Sequence, residues 1–166
     1  LPQQWWLNLI DAPKAWERTR GRSDVRIAVI DTGTDYTHED LGGWKTDVVA
    51  DRDIVNGDDD AMDDYGHGTH VSGIAAAIAD NRRGIAGVCP GCTVLPIKVL
   101  DATGAGSDTT VAEGIRYATD HQSSVINLSL GDPRCFEKTV AAINFAYDRG
   151  VVIVAAAGNS GDGAEC

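Results

Sequence analysis

Long apolar runs are absent from this 166-residue chain. No stretch approaches the roughly 20 consecutive apolar residues that span a bilayer, which argues against a membrane protein. Basic residues are scarce: 14 Lys and Arg stand against 25 Asp and Glu, a formal net charge of -11. Such a surface repels phosphate backbones, which argues against a nucleic-acid partner. It suits a soluble acidic protein, or one that holds calcium or meets cationic substrates. The first residues, Leu1-Pro2-Gln3-Gln4-Trp5-Trp6, lack the basic-then-apolar layout of a signal peptide, so any export signal is expected to have been removed or to lie upstream. Neither Gly-x-Gly-x-x-Gly nor a Gly-Lys-Ser/Thr element follows the first apolar run, which weighs against a nucleotide-binding α/β domain.

Cysteine is limited to Cys89, Cys92, Cys135 and Cys166. The even count suits an oxidising compartment, although a chain of this length can fold without staples. Cys89-Pro-Gly-Cys92 reads as a redox pair, as half of a zinc site with His67 and His70 at His-x-x-His spacing, or as a small disulfide loop. The preferred pairing is Cys89–Cys92 with Cys135–Cys166, which sequence alone does not fix.

What is present is a chain of apolar runs alternating with helical patterns. Residues 25–30 form a β-branched run that stops at Asp31-Thr32-Gly33 and predict a buried strand. Residues 70–79 predict a buried helix. Residues 93–100 predict a strand, with Pro96 placing it near an edge or irregularity. A helix is expected over 109–121, a strand over 124–130, an amphipathic helix over 136–149 with Val140, Ile143, Phe145 and Tyr147 among its apolar positions, and a strand over 151–157. Strands alternating with helices indicate an α/β fold, a parallel sheet covered on both faces. In such folds chemistry gathers beyond the carboxyl ends of the strands. That rule places Asp31, Ser129-Leu130-Gly131 and Asn159 at one candidate site.

Asp31 taken alone reads equally as a turn-forming aspartate before Gly33. The segment Gly66-His67-Gly68-Thr69-His70-Val71-Ser72-Gly73 shifts the balance, because glycines on both sides of His67 let the backbone pass close to other elements and leave the imidazole open. With these residues, and with Ser129-Leu130-Gly131 and Ala156-Ala157-Gly158-Asn159 following in order, the chain resembles the subtilisin-like serine proteases, or subtilases, over essentially its whole length. The resemblance implies that residues 1–166 are the N-terminal portion of a single peptidase domain, incomplete at its C-terminal side. It implies a secreted or extracytoplasmic serine endopeptidase acting through an Asp-His-Ser triad and an acyl-enzyme. In that scheme His67 is the general base, Asp31 holds its tautomer, and Asn159 donates to the oxyanion. Ser129, Leu130 and Gly131 pair with an extended polypeptide substrate, and Gly104, Ala105 and Gly106 flank it from the other side.

The family's serine motif, Gly-Thr-Ser-Met-Ala or a near variant, does not occur in these residues. The nucleophile is therefore expected downstream, with a nick and a C-terminal companion chain as one source, and the chain alone is expected to be inactive. The alternative is a pseudoprotease that binds extended peptides. The resemblance also implies a structural calcium ion held by Asp40, by the side chain of Asn81 and by the carbonyls of Ile78, Arg83 and Ile85. An N-terminal ligand is either missing, upstream, or replaced by Gln3 or Gln4. A further cation among Asp47 to Asp64 has no assignable ligands. Asp132, Asp162, Glu165 and the Asp63-Asp64 pair raise a preference for basic substrate residues, against the plainer reading of surface charge.

Overall fold

The computed structural model describes residues 3–42, 46–47, 50–132, 134, 136–159 and 161. In chain order its elements are α1 (Trp5–Leu9), α2 (Ala12–Trp16), β1 (Arg26–Asp31), β2 (Arg52–Asp53), α3 (His67–Ala76), β3 (Thr93–Lys98), α4 (Asp108–Asp120), β4 (Val125–Leu128), α5 (Glu137–Tyr147) and β5 (Val152–Ala155). The strands form one sheet in the order β2-β3-β1-β4-β5, and every pairing is parallel. The parallel α/β architecture expected from the alternation is the one found.

Two layers cover the sheet. On one face Ile115 of α4 and Ala142 and Ala146 of α5 pack with Ala28, Ile30, Ile97 and Ile126 of the sheet. On the other, α3 lays Ala76 against Val29 and Val94. This explains why β1 and β3 read as nearly continuous apolar runs: strands buried on both faces have no solvent side to make polar. Pro96 sits inside β3. Thr93 N and Val99 N donate towards β1, to Val25 O and Asp31 O, whereas Val94 O and Lys98 O accept on the opposite side, from Asp47 N and Ile54 N. Pro96 shares the parity of Val94 and Lys98, so its missing N–H faces the β2 side, where β2 itself pairs with Ile97 and Lys98.

Two expectations change. The helix over 70–79 begins earlier, at His67, and ends at Ala76. It stops there because the returning chain takes its last carbonyls: Val88 N donates to Ile74 O, Cys89 N to Ala75 O and Gly87 N to Ala77 O. In α5 the inward positions are Ala142 and Ala146, with Val140 and Tyr147 exposed. Small residues win because α5 packs closely on α4, whose own first turn is tied to it by Asp108 accepting from Thr139 N at 2.8 Å. The short helices α1 and α2 carry no strong local signal. They form by packing Leu7, Ala12, Trp6 and Trp16 against Ala79 and Ala86, and Gln4 fixes them by exchanging hydrogen bonds with both backbone groups of Ala86.

Candidate active site

Asp31 is the last residue of β1, at the carboxyl end of the sheet, and is 0% exposed. Its Oδ1 accepts from Thr32 N at 2.8 Å and lies 2.7 Å from His67 Nδ1. Among the described residues its Oδ2 has no hydrogen-bond partner. The His67 side chain remains 42% exposed, against 0% for its partner. The pair thus joins a buried carboxylate to an imidazole open to a cavity, which fixes one ring nitrogen and leaves the ring accessible.

What brings His67 to Asp31 is the capping of α3. Gly66 precedes the helix in the left-handed region (φ 101°) and offers no capping side chain. The free N–H groups of the first turn are instead met from other parts of the chain: Gly68 N donates to Thr32 Oγ1 at 2.9 Å, and Thr69 N to Asp63 Oδ2 at 2.8 Å. Thr32 Oγ1 also donates to Asp63 Oδ1 at 2.8 Å. The aspartate turn and the histidine helix therefore share one hydrogen-bond network, with the positive end of α3 facing carboxylates. Burial pushes the Asp63 carboxyl up, but donors from the Thr69 hydroxyl and the N–H groups of Gly66, Tyr65 and Thr69 outweigh it, so the net shift is below the usual carboxylate range. The contact is close enough to exclude any side chain: a Cβ on Gly68 would lie 2.1 Å from Gly33 O.

His67 opens on a cavity of about 870 Å³. Its walls include Gly104, Ala105, Gly106, Leu130, Gly131, Leu100 and Tyr65. Ser129 does not line this cavity; its Oγ accepts from Asn127 Nδ2 at 2.9 Å. Asn159 lies exposed, four residues past the end of β5 and at the same edge of the parallel sheet as Asp31. It is not among the cavity-lining residues.

The family model for subtilases matches residues 22–166. The chain belongs to the subtilase family. A thermophilic serine proteinase from Bacillus sp. (strain AK1) is 49% identical over 148 residues, which is 89% of this chain and 36% of that protein. Thermitase from Thermoactinomyces vulgaris is 44% identical over 160 residues, 96% of this chain and 56% of thermitase. Subtilisin Savinase from Lederbergia lenta is 40% identical over 159 residues, with coverage of 96% and 56%. These relatives are serine proteases, and this subtilase chain spans about a third to a little over half of their length.

The loop after α3 gathers most of the residues expected around calcium in this subtilase. Asp40 is 2% exposed; its Oδ1 accepts from Asn81 Nδ2 at 2.5 Å, its Oδ2 from Ile85 N at 2.9 Å, and its carbonyl from Ile78 N at 3.1 Å. Arg83 follows in the same loop, with its guanidinium paired to Glu39 and its N–H on Asn81 Oδ1. Among the described residues the buried Asp40 carboxylate is met by the neutral donors Asn81 Nδ2 and Ile85 N, and such a carboxylate is an oxygen donor that a hard cation would take. Asp40 and Asn81 are the two side chains of the expected set that meet here, and both carry oxygen donors of the kind such an ion takes. Gln4 does not serve as the N-terminal ligand in this arrangement, because Oε1 accepts from Ala86 N.

Cys89 and Cys92 form a disulfide, the expected pairing, which leaves no thiolates there for zinc. The Cys135–Cys166 pairing lies outside the described residues, as do Asp162 and Glu165. The acidic residues raised for basic specificity are engaged internally. Asp63 serves the α3 network, Asp64 pairs with Lys98 at 2.6 Å, and Asp132 pairs with Arg134, which draws its carboxyl down to about 2. Thr32 and Lys98 are site residues that sequence reasoning assigned no role, and Asp63, raised there for specificity, serves the α3 network. The signal for Lys98 was available: a lone charge in a strand otherwise buried throughout.

Proposed function

We propose that this chain is the N-terminal part of a subtilisin-like serine endopeptidase, carrying its base, its orienting acid and its oxyanion donor. The observation that carries the reading is the 2.7 Å contact of the buried Asp31 carboxylate with His67 Nδ1 beside a cavity. A proton held on Nδ1 by Asp31 leaves the Nε2 lone pair free to take the proton of a serine hydroxyl as it attacks a peptide carbonyl. The imidazolium so formed is stabilised by Asp31 and returns its proton to the leaving amine. Asn159 donates its side-chain amide to the oxyanion. Ser129, Leu130 and Gly131 pair with the extended substrate, with Gly104, Ala105 and Gly106 opposite.

The serine comes from sequence outside these residues, downstream or on a companion chain, so residues 1–166 alone are inactive. The active protein works in an extracytoplasmic compartment that permits the disulfide. Calcium held by Asp40, Ile78, Asn81, Arg83 and Ile85 braces the loop behind α3. Intact-mass analysis of the purified protein under non-reducing conditions, with and without a fluorophosphonate probe, tests the reading. One probe adduct on a serine outside residues 1–166 supports it. A full-length protein that takes no probe yet binds extended peptides would replace it with the pseudoprotease.

A further inference from the structure

Lys98 is the largest fully buried side chain among the described residues, 1% exposed, on a strand whose every other residue is uncharged. It lies directly across from Asp31 in the β1–β3 register. Its Nζ donates to Thr32 O at 2.9 Å, to Leu100 O at 2.7 Å and to Asp64 Oδ1 at 2.6 Å. An ammonium has three protons, so its donors are all used. Burying such a charge is costly, and an apolar side chain of similar volume in its place is often as stable or more so. Stability therefore does not account for a lysine here; what it joins does.

Thr32 carries the hydroxyl that caps Gly68 N and the N–H that holds Asp31 Oδ1. Leu100 is a wall of the cavity. Asp64 stands three residues before His67. One buried ammonium thus ties the aspartate turn, the approach to the histidine and the substrate-side wall to a single point. We infer that Lys98 is a positioning residue, a clamp that sets the Asp31–His67 geometry and couples it to the wall at Leu100. The inference rests on the peptidase reading above for its catalytic consequence, but the geometry it concerns is measurable without activity.

The test uses the full-length protein with Lys98→Met, Lys98→Arg and Asp64→Asn, counting competent sites by fluorophosphonate titration. For Lys98→Met, kcat per titrated site is expected to fall by about 10–100-fold, with KM within about twofold, as misplacement of a catalytic group does. Lys98→Arg, which keeps charge and donors, restores a large part of the loss. Asp64→Asn, whose carboxylate is 47% exposed and whose change spares the fold, moves kcat in the same direction by a smaller factor. In parallel, the proton resonance of His67 Nδ1 shifts in Lys98→Met and in Asp64→Asn.

Wild-type kcat per titrated site with an unmoved resonance would overturn the clamp. So would a loss seen only as fewer titrated sites. If Lys98→Met does not fold, Asp64→Asn decides by the same readouts. If the wild-type protein takes no probe, the peptidase reading fails, and the resonance in wild type against Asp64→Asn still decides the clamp.

Discussion

Substituting Gly68 by alanine puts the assembly of the site under direct strain. The added Cβ would stand 2.1 Å from Gly33 O and 3.1 Å from Gly33 N, both backbone atoms of the aspartate turn. An ordinary contact needs about 3.4 Å, so the first turn of α3 must retreat by about 1.3 Å. That motion stretches Gly68 N to Thr32 Oγ1, now 2.9 Å, and His67 Nδ1 to Asp31 Oδ1, now 2.7 Å. Overpacking costs about 1–3 kcal/mol and a weakened hydrogen bond about 1 kcal/mol. Alanine's helix propensity returns about 1 kcal/mol. The net destabilisation is about 1–3 kcal/mol, a fall in Tm of roughly 3–10 °C for a domain of this size. Displacing His67 by about 1 Å should slow probe labelling of the full-length protein by about 100-fold. Gly73→Ala is the control: it lies in the same helix, and its Cβ meets only Ile85 Cδ1 at 3.6 Å, so it should hold or raise Tm and leave labelling unchanged. A Gly68→Ala protein that melts no lower and labels as fast would refute the close approach of α3 to the aspartate turn.

Asp63, with its carboxyl held below the usual range, stabilises the fold fully above the unfolded carboxylate pKa of about 3.9. That stability is lost as pH falls through the lower folded pKa, so wild-type Tm should drop more steeply below about pH 4 than that of Asp63→Asn. Asp51 has the opposite sign. Burial raises its pKa, with the Ala61 N–H opposing and repulsion from Asp60, Asp59 and Asp47 adding to it, and among the described residues its buried Oδ1 has no hydrogen-bond partner. Its ionised form therefore destabilises the fold above the raised pKa, and Asp51→Asn should raise stability at pH 7 by about 1 kcal/mol, read by denaturant titration. Excess chelator should lower Tm of the wild-type protein by several degrees and leave Asp40→Asn nearly unaffected; an unchanged wild-type melting curve would remove the calcium site.

The parallel sheet was legible because β1 and β3 are apolar on both faces, and Asp31 was legible because the run stops abruptly there. The start of α3 was not. Gly66 carries no capping group, and the caps come from Thr32 and Asp63, which only the tertiary fold delivers. The apolar positions named for α5 include Ile143, which packs against the core, and Val140 and Tyr147, which are exposed, while the closeness of α4 selected Ala142 and Ala146 for the inward face. Lys98 appeared in the sequence as a lone charge, and its partners Thr32, Leu100 and Asp64 are distant or indirect in the chain. The roles of Asn159, Ser129 and the calcium loop came from family resemblance, since no local pattern of spacing specifies them.

The central claim is that Asp31 and His67 form the acid–base pair that activates a serine. Its most direct test is the second-order rate of fluorophosphonate labelling in the full-length protein, compared among wild type, Asp31→Asn, His67→Ala and the double variant. The account predicts a fall of about 10³-fold or more for each single change, with little further loss when both are made, because such residues act as a unit. Single variants labelling within tenfold of wild type, or losses that multiply in the double variant, would contradict it.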